Sequence, residues 1–277
     1  MRLFNQVAIV GVGLIGGSIG LGIKKRRLAR QVIGISRHRK TINLAKRRGA
    51  IDAGFLDVSA IRQADLVILA APVNTIIQIG VRISSLVKPG ALVTDTGSTK
   101  RSVVEILGKA LPNFVGAHPL SGSEKQGVAS ARDDLFCGSL CVLTPTAKTS
   151  RSALSIIRGL WVELGARVIY LTPAKHDRFI SYTSHLPHII SFSLIHSVPR
   201  NSLYLASSGL KDTTRIAASP VGLWKDIFLT NSENILDALK YFSRSLTRIK
   251  HAIIKKDAKA LERILNQARL KRKEIKP

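Results

Sequence analysis

A glycine-rich turn near the amino terminus constrains the fold more than any other feature of the sequence. The segment VAIVGVGLIGGSIG contains Gly11-x-Gly13-x-x-Gly16, which directly follows a short apolar run and precedes a helical pattern. In that context Gly11 allows a tight turn, Gly13 lets the backbone approach a phosphate, and Gly16 lets a helix pack closely on a strand. The pattern predicts a dinucleotide-binding βαβ unit, with Leu14 and Ile15 among the cofactor contacts.

Short apolar runs and helix-period segments alternate through the first 170 residues. Such runs have the length and β-branched content of strands buried on both faces, and helices between them indicate a doubly wound parallel sheet of the Rossmann type. A further strand, helix and strand are predicted at SLCVLT, 151–164 and ARVIYL. The other predicted strands are Val7–Val10, Val32–Ile35, Leu66–Ala70, Leu92–Asp95 and Phe114–Ala117, and the helices between them include 39–48, 74–86 and 100–110.

After Thr172 the pattern becomes entirely helical, with segments at 174–197, 201–210, 222–253 and 257–272. Pro187 lies inside the first segment and is expected to kink it, because proline removes a helical hydrogen bond. We therefore predict a dinucleotide-binding domain over 1–171 and a helical dimerisation and substrate domain over 172–277.

Composition and charge bear on whether the chain has a packed core and whether it binds nucleic acids. The hydrophobic content of 45% supports a packed core, and the net charge of +26 comes from basic residues spread along the whole chain. Because aromatic residues make up only 5%, stacking platforms for nucleic acids are scarce. We expect a generally basic surface that attracts acidic metabolites, with no specific nucleic-acid binding.

The amino-terminal segment and the cysteines indicate a cytoplasmic protein. Glycines interrupt the uncharged run at the start of the chain, and it lacks a small-residue cleavage site, so it is not interpreted as a signal peptide. No other stretch has the uncharged length of a membrane span. Cys137 and Cys141 are too few for a disulfide framework and are expected to be buried thiols. Their CxxxC spacing, without clustered histidines, argues against a metal site.

The residues after the second predicted strand bear on the choice of cofactor. NAD-binding folds usually place an acidic residue about 20 residues past the glycine motif, where it binds the ribose. This chain has GISRHRK there, with Ser36, Arg37 and Arg39 in place of a carboxylate. Arginines pair well with a 2′-phosphate, so NADP is favoured over NAD. Ala71 and Pro72, at the end of a later strand, are further predicted cofactor contacts.

Two polar segments, DTGSTK at 95–100 and GAHPLSGSEKQG at 116–127, follow neighbouring predicted strands. Ligands of such sheets bind at the carboxyl ends of the strands, so Ser98 and His118 are expected to converge on the nicotinamide. A histidine in that position is a candidate general base.

The helical region contributes SHLPH at 184–188 and SSGLKDTTRIAAS at 207–219. His185 and His188 are three residues apart and share one helix face. No carboxylate lies at a spacing suited to a shared metal. Arg215 is a candidate clamp for a substrate carboxylate, with a salt bridge to Asp212 as the alternative.

The ordered set GVGLIGGS, DTGSTK, GAHPLSGSE, SHLPH and GLKDTTRIAAS resembles the prephenate/arogenate dehydrogenases of tyrosine biosynthesis, and the resemblance covers nearly the whole chain. It implies a Rossmann domain, a helical domain through which two subunits dimerise, and oxidative decarboxylation of a cyclohexadienol to a phenol. By position, His118 resembles the catalytic base, and Ser98 resembles the serine that hydrogen-bonds the ring hydroxyl and orients that histidine. Arg215 resembles the arginine that holds the ring carboxylate.

The resemblance further implies that His185 and His188 lie near the substrate and that Glu124 lies near the pocket entrance. A neutral histidine suits the chemistry, because hydride leaves a carbinol carbon more readily as its hydroxyl loses a proton. Substrate choice stays open at this stage. His188 favours prephenate, whose side chain is a keto acid, whereas NADP use in this family often accompanies arogenate. We expect neither a regulatory ACT domain nor a fused chorismate mutase.

Two other functions fit parts of the pattern. A β-hydroxyacid dehydrogenase shares the plan of a Rossmann domain followed by helices, but it needs a catalytic lysine where this chain has SHLPH. A non-catalytic dinucleotide-binding regulatory module gives no reason for Ser98, His118 and Arg215 to occur together.

Overall fold

The apolar runs near the amino terminus form a six-stranded parallel sheet with the strand order β3-β2-β1-β4-β5-β6. The computed structural model describes residues 3–122 and 126–275. The order reverses direction at β1, as in a doubly wound Rossmann fold. Only the short edge strand β3 is absent from the sequence prediction. The strands are β1 (Phe4–Val10), β2 (Ala29–Ile35), β3 (Ala53–Phe55), β4 (Leu66–Leu69), β5 (Leu92–Asp95) and β6 (Phe114–Val115).

Apolar side chains on both faces of the sheet are buried by helices. Val7 and Ile9 belong to one core cluster, whereas Ala8 and Val10 belong to another, because successive side chains of a strand point to opposite faces. On the first face pack α1 (Leu14–Lys25), α2 (Arg39–Arg47) and α5 (Arg151–Glu163); on the second pack α3 (Val73–Ile83) and α4 (Arg101–Ala110). The continuous apolar runs therefore reflect strands covered on both faces.

The predicted strand Phe114–Ala117 is in fact divided between two sheets. The chain leaves the main sheet after Val115, and β7 (Ala117–Pro119) pairs antiparallel with β8 (Leu140–Leu143). β8 pairs parallel with β9 (Arg167–Tyr170), giving a separate three-stranded sheet. The prediction that His118 follows the end of a main-sheet strand is therefore wrong, because His118 lies inside β7. Gly116 makes the change possible, since a Cβ there would lie 2.5 Å from Thr144 Oγ1.

The residues after Thr172 are mostly helical, as predicted, but three of the four predicted segments are interrupted. Segment 201–210 has a break at 206–207, between a 3₁₀ turn and a helix that begins at Ser208. A π-helical turn, Ser181–His185, separates α6 (Pro173–Ile180) from α7 (Leu186–Ser197). This turn ends two residues before Pro187, and it interrupts the helix as expected. The predicted helix 222–253 is broken at Asn231. The remaining helices are α8 (Ser208–Thr214), α9 (Val221–Thr230), α10 (Ser232–Ile254) and α11 (Ala258–Lys273), with 3₁₀ turns at Val58–Gln63, Val128–Ser130, Arg200–Leu205 and Arg215–Ala218.

The chain divides into two compact units, Met1–Asn231 and Ser232–Pro277. The second unit contains α10 and α11, which pack on each other. Asp257 caps α11 by accepting a hydrogen bond from the amide of Ala260 at 2.9 Å. Since α6 to α9 belong to the first unit, this division differs from the domain boundary predicted near residue 171, and that boundary stays a prediction.

The structure bears on two predictions, the burial of the cysteines and the lack of a membrane span. Cys141 is buried, but Cys137 is exposed, so the expectation of two buried thiols is wrong for Cys137, which lies in a surface turn. Within residues 3–122 and 126–275, no helix is both long enough and apolar enough to cross a membrane.

Candidate active site

The glycine-rich turn forms a cradle at the carboxyl end of β1. Gly11 has φ +97°, and a Cβ there would lie 2.2 Å from the carbonyl oxygen of Ala70, at the end of β4. A Cβ on Gly16 would lie 2.1 Å from the oxygen of Gly11, so both positions require glycine. A Cβ on Gly13, in contrast, would meet no protein atom within 4 Å. Gly13 is the N-cap of α1, so this open space lies where a helix amino terminus favours an anion.

These features fit the pyrophosphate of a dinucleotide. Leu14 and Ile15, half-buried in the first turn of α1, lie beside the open space at Gly13. Ala71 and Pro72 follow β4, and Pro72 is the N-cap of α3. All four predicted contacts therefore lie along the carboxyl edge of the sheet, as a Rossmann cofactor site requires.

The carboxyl end of β2 carries hydroxyl and basic side chains. Ser36 follows β2 and accepts a hydrogen bond from the amide of His38 at 3.3 Å. Arg37 and Arg39 are exposed, and Arg39 begins α2. No carboxylate lies in this segment to repel a 2′-phosphate on the ribose.

A buried ion pair organises the segment after β5. The side chains of Lys100 and Asp95 are both fully buried, and they form an ion pair. Lys100 Nζ also donates to the carbonyl oxygen of Ala117 at 2.9 Å, and Asp95 accepts from the amides of Gly97 at 2.8 Å and Ala117 at 3.1 Å. These bonds tie the loop that carries Ser98 to the strand that carries His118.

Ser98 itself is half-buried between two fully buried neighbours. The amide of Thr96, earlier in the same loop, donates to the carbonyl oxygen of Leu69 at 3.0 Å, which joins the end of β5 to the end of β4. The loop that carries Ser98 is therefore continuous with the edge that carries the glycine cradle.

His118 is held by two residues that the sequence analysis did not identify. Its Nδ1 lies 2.8 Å from Nε2 of His176, whose own Nδ1 lies 2.7 Å from Oδ1 of Asp177. Asp177 also accepts hydrogen bonds from the amides of Lys100 at 2.7 Å and Arg101 at 2.9 Å, at the start of α4. The adjacent histidine and aspartate in the first turns of α6 were the available signal, but their other partners, His118 and the amides of Lys100 and Arg101, lie far away in the sequence.

The surroundings of His118 keep it neutral. Its pKa lies well below the usual 6.5, first because the enclosing protein desolvates the ring and then because His176, Lys100 and His185 oppose a positive charge there. The other ionisable groups nearby are Asp95, Asp177 and, across the β7–β8 pair, Cys141. An unprotonated imidazole at neutral pH is what a general base requires.

His185 presents one ring nitrogen without a hydrogen-bond partner. The side-chain amide of Asn231 donates to the carbonyl oxygen of Asp177 at 2.8 Å, and its nitrogen lies 3.1 Å from His185 Nδ1. Because that nitrogen is a donor, His185 Nδ1 accepts and Nε2 carries the proton. His185 is 1% exposed, and its Nε2 is buried and unbonded within the described structure. Burial lowers its pKa to about 4, so His185 is a neutral donor.

His188 and Arg215 lie in the same region. The ring of His188 stacks on Trp224 with a centroid separation of 3.4 Å, and its Nδ1 lies 2.9 Å from the carbonyl oxygen of Ser184. Burial lowers the pKa of His188, and the charge of Arg215 lowers it further. Arg215 is exposed and begins the 3₁₀ turn that follows α8.

The predicted substrate residues of the helical region therefore lie together, with His118 near enough to His185 for their charges to interact. Glu124, the predicted entrance residue, lies outside the described residues. Trp224, Asn231, His176 and Asp177 were missed, since each acts through a partner far away in the sequence. Among the described side chains, no group of three or more His, Cys, Asp or Glu residues is arranged to hold a metal ion.

Comparisons with known proteins converge on one family. A family model described as prephenate dehydrogenase, nucleotide-binding domain, matches residues 19–170, and one described as prephenate dehydrogenase, dimerization domain, matches residues 172–267. The chain is similar to a prephenate dehydrogenase of Bacillus subtilis (strain 168), with 36% identity over 279 residues that cover 97% of this chain and 75% of that protein.

Two solved structures are similar over their full length. The prephenate dehydrogenase from A. aeolicus in complex with hydroxyphenyl propionate and NAD+ has a TM-score of 0.93 and 35% identity, covering 98% of both chains. The Synechocystis arogenate dehydrogenase has a TM-score of 0.82 and 30% identity, covering 97% of this chain and 99% of that one.

Proposed function

The chain belongs to the prephenate dehydrogenase family, whose activity is an NAD(P)-dependent oxidative decarboxylation in tyrosine biosynthesis, and we propose that it uses His118 as the base and prephenate and NADP as substrates. One observation carries the proposal. The dinucleotide cradle is joined to the neutral His118 along one edge of the molecule by three contacts: Gly11 with Ala70, Thr96 with Leu69, and Asp95 with Ala117.

His118 acts on the ring hydroxyl of the substrate. Its Nδ1 is engaged with His176, so Nε2 is the nitrogen that accepts the hydroxyl proton. Ser98 is proposed to bind the same hydroxyl and to orient His118. A dinucleotide held at the cradle of Gly11, Gly13 and Gly16 would supply the acceptor for the hydride of the carbinol carbon. The bond to the ring carboxylate then breaks, carbon dioxide leaves, and its electron pair completes the aromatic ring.

Basic and neutral groups are proposed to bind the rest of the substrate. Arg215 pairs with the ring carboxylate, since its guanidinium offers a planar fork of donors. The Nε2–H of His185, buried without a partner, donates to a substrate oxygen, and His188 lies beside it on the ring of Trp224. Glu124 is proposed to lie near the entrance.

The preference for prephenate follows from the carboxylates that are available. Arogenate carries an ammonium in its side chain, and an ammonium is best bound by a carboxylate. In the described part of the chain, the two buried carboxylates of this site are already engaged, Asp95 by Lys100 and Asp177 by His176 and two amides. Neutral donors suit the keto acid side chain of prephenate instead.

The preference for NADP rests on the end of β2. Ser36, Arg37 and Arg39 lie where the ribose of a bound dinucleotide is expected, and a 2′-phosphate pairs with guanidinium groups. Changing Arg37 to Ala is expected to raise the KM for NADP by about tenfold or more, as loss of a phosphate contact should, and to leave the KM for NAD nearly unchanged.

The test is the initial rate of reduced-cofactor formation with prephenate and with arogenate, each combined with NAD and with NADP. Turnover is expected with prephenate and NADP, and His118→Asn should abolish it. His251→Asn, which changes an exposed histidine of α10, is the matched control and should leave the rate unchanged. A faster rate with arogenate would refute the substrate assignment, and equal rates for the two histidine variants would refute the assigned base.

We also propose a cytoplasmic homodimer. The match to a dimerization domain model and the exposed apolar side chains Leu236, Leu246, Ile254 and Leu265 on α10 and α11 support the dimer. Light scattering after size exclusion should give twice the chain mass of 30.1 kDa. The domain boundary near residue 171 is retained as part of this proposal.

A further inference from the structure

The side chains of His118, His176 and Asp177 form a line of hydrogen bonds that ends at the predicted base. The two links measure 2.8 Å and 2.7 Å, which are normal lengths for such bonds. His176 is 0% exposed and Asp177 is 1% exposed, so bulk water does not compete for these atoms. The three residues come from two separate elements, with His118 in β7 and the other two in α6.

The position of each proton follows from the donor and acceptor properties of the groups. The Asp177 carboxylate only accepts hydrogen bonds, and it already receives those from the amides of Lys100 and Arg101. His176 Nδ1 must therefore carry a proton, and Nε2 of the neutral ring has a free lone pair. His118 Nδ1, which faces that lone pair, must then carry a proton as well, so His118 Nε2 is left unprotonated.

We propose that His176 and Asp177 are positioning residues that hold His118 in the tautomer with an unprotonated Nε2, an inference that rests on the proposed function of His118 as the base. When His118 Nε2 takes the substrate proton, Nδ1–H stays bonded to His176, and no further proton moves. The carboxylate of Asp177 behind His176 stabilises the imidazolium that results. The same carboxylate receives the first amides of α4, so the line is anchored to the loop that carries Ser98.

Two substitutions of His176 separate positioning from packing. His176→Phe keeps a ring of similar size in the buried space but removes the acceptor for His118 Nδ1–H. We expect kcat to fall about 100-fold, since a general base contributes about 10²–10⁴-fold, with little change in KM. His176→Gln places an amide oxygen near the position of Nε2 and should restore part of the loss. If packing alone matters, Phe should be at least as active as Gln, and that order would overturn the proposal.

Asp177 is tested through its dependence on His176. Asp177→Asn is expected to lower kcat in the wild-type background and to lower it much less in His176→Phe, where only the contacts of Asp177 with the amides of Lys100 and Arg101 are left to lose. Asp65 provides the matched control. Its carboxylate accepts from the amides of Asn5 and Gln6 and pairs with Lys88, at the opposite end of the sheet. Asp65→Asn should leave kcat unchanged, and additive losses for the Asp177–His176 pair would contradict the positioning role.

A measurement without turnover separates this inference from the proposed function. In protein labelled with ¹⁵N-histidine, the imidazole signal that disappears in His118→Asn identifies His118. Its nitrogen shifts should show protonated Nδ1 and unprotonated Nε2 at neutral pH, and His176→Phe should change that pattern. Protonated Nε2 in the free wild-type protein would overturn the inference even if the enzyme is active. The expected shifts without turnover of any substrate would refute the proposed function alone.

Discussion

Replacing Lys100 with Met tests whether the buried ion pair holds the site together. The ammonium group bonds the Asp95 carboxylate and the carbonyl oxygen of Ala117, and both charged side chains are fully buried. Without it, Asp95 keeps the amides of Gly97 and Ala117 as its partners among the described residues, and neither of these neutralises its buried charge. Breaking a buried pair on one side costs about 3–5 kcal/mol, because the remaining charge is uncompensated.

This free energy corresponds to a large shift in thermal unfolding. At roughly 2–4 °C per kcal/mol for a protein of this size, Lys100→Met should lower the unfolding midpoint by about 6–20 °C. Both tryptophans, Trp161 and Trp224, lie in the unit Met1–Asn231, so intrinsic fluorescence follows the unit that contains the pair.

A surface pair in the same unit provides the control. Lys109 and Glu105 lie 3.8 Å apart on α4 and are 71% and 65% exposed, so Lys109→Met should change stability by less than about 0.5 kcal/mol. The double variant Asp95→Asn, Lys100→Met should be more stable than Lys100→Met alone, since it no longer buries a charge. If Lys100→Met lowered the unfolding midpoint no more than Lys109→Met does, the reasoning would be refuted. It would also be refuted if the double variant were no more stable than Lys100→Met.

Three further outcomes are expected. Gly13→Ala should fold normally, because its Cβ meets no protein atom within 4 Å, yet it should raise the cofactor KM about tenfold or more. Gly11→Ala should instead lower the unfolding midpoint, because its Cβ would lie 2.2 Å from the carbonyl oxygen of Ala70. The reverse pattern would contradict the role of these glycines in the cradle. The pKa of His185 is about 4 in the folded protein, against the ordinary value of 6.5 that applies to the unfolded chain. The contribution of His185 to stability is therefore complete above pH 6.5 and is lost as the pH falls to about 4. The loss should amount to about 3 kcal/mol and be smaller in His185→Gln, and parallel unfolding midpoints against pH in the two proteins would argue against it. Because the chain carries a net charge of +26, added salt should raise the KM for the anionic substrate more than it lowers kcat, and a KM independent of salt would exclude electrostatic attraction.

The Rossmann sheet, its glycine cradle and the two polar segments could be predicted because each is encoded locally. Strands buried on both faces leave continuous apolar runs, and helices between them leave a 3.6-residue period. The tight turn at Gly11 requires a residue without a Cβ, so its identity is visible in the sequence. The position of Ser98 after β5 followed in the same way, since the carboxyl ends of parallel strands meet at one edge.

Tertiary structure alone decided which side chains meet. His118 and His176 are 58 residues apart, and Asn231 bonds a histidine 46 residues earlier in the chain. The transfer of His118 to a second sheet also follows from packing. A contact between distant residues leaves no period or spacing in the sequence, because it depends on how whole elements pack. The sequence by itself therefore determined the sheet, its cofactor edge and the candidate base, whereas the partners that set the protonation of His118 and His185 came only from the folded chain.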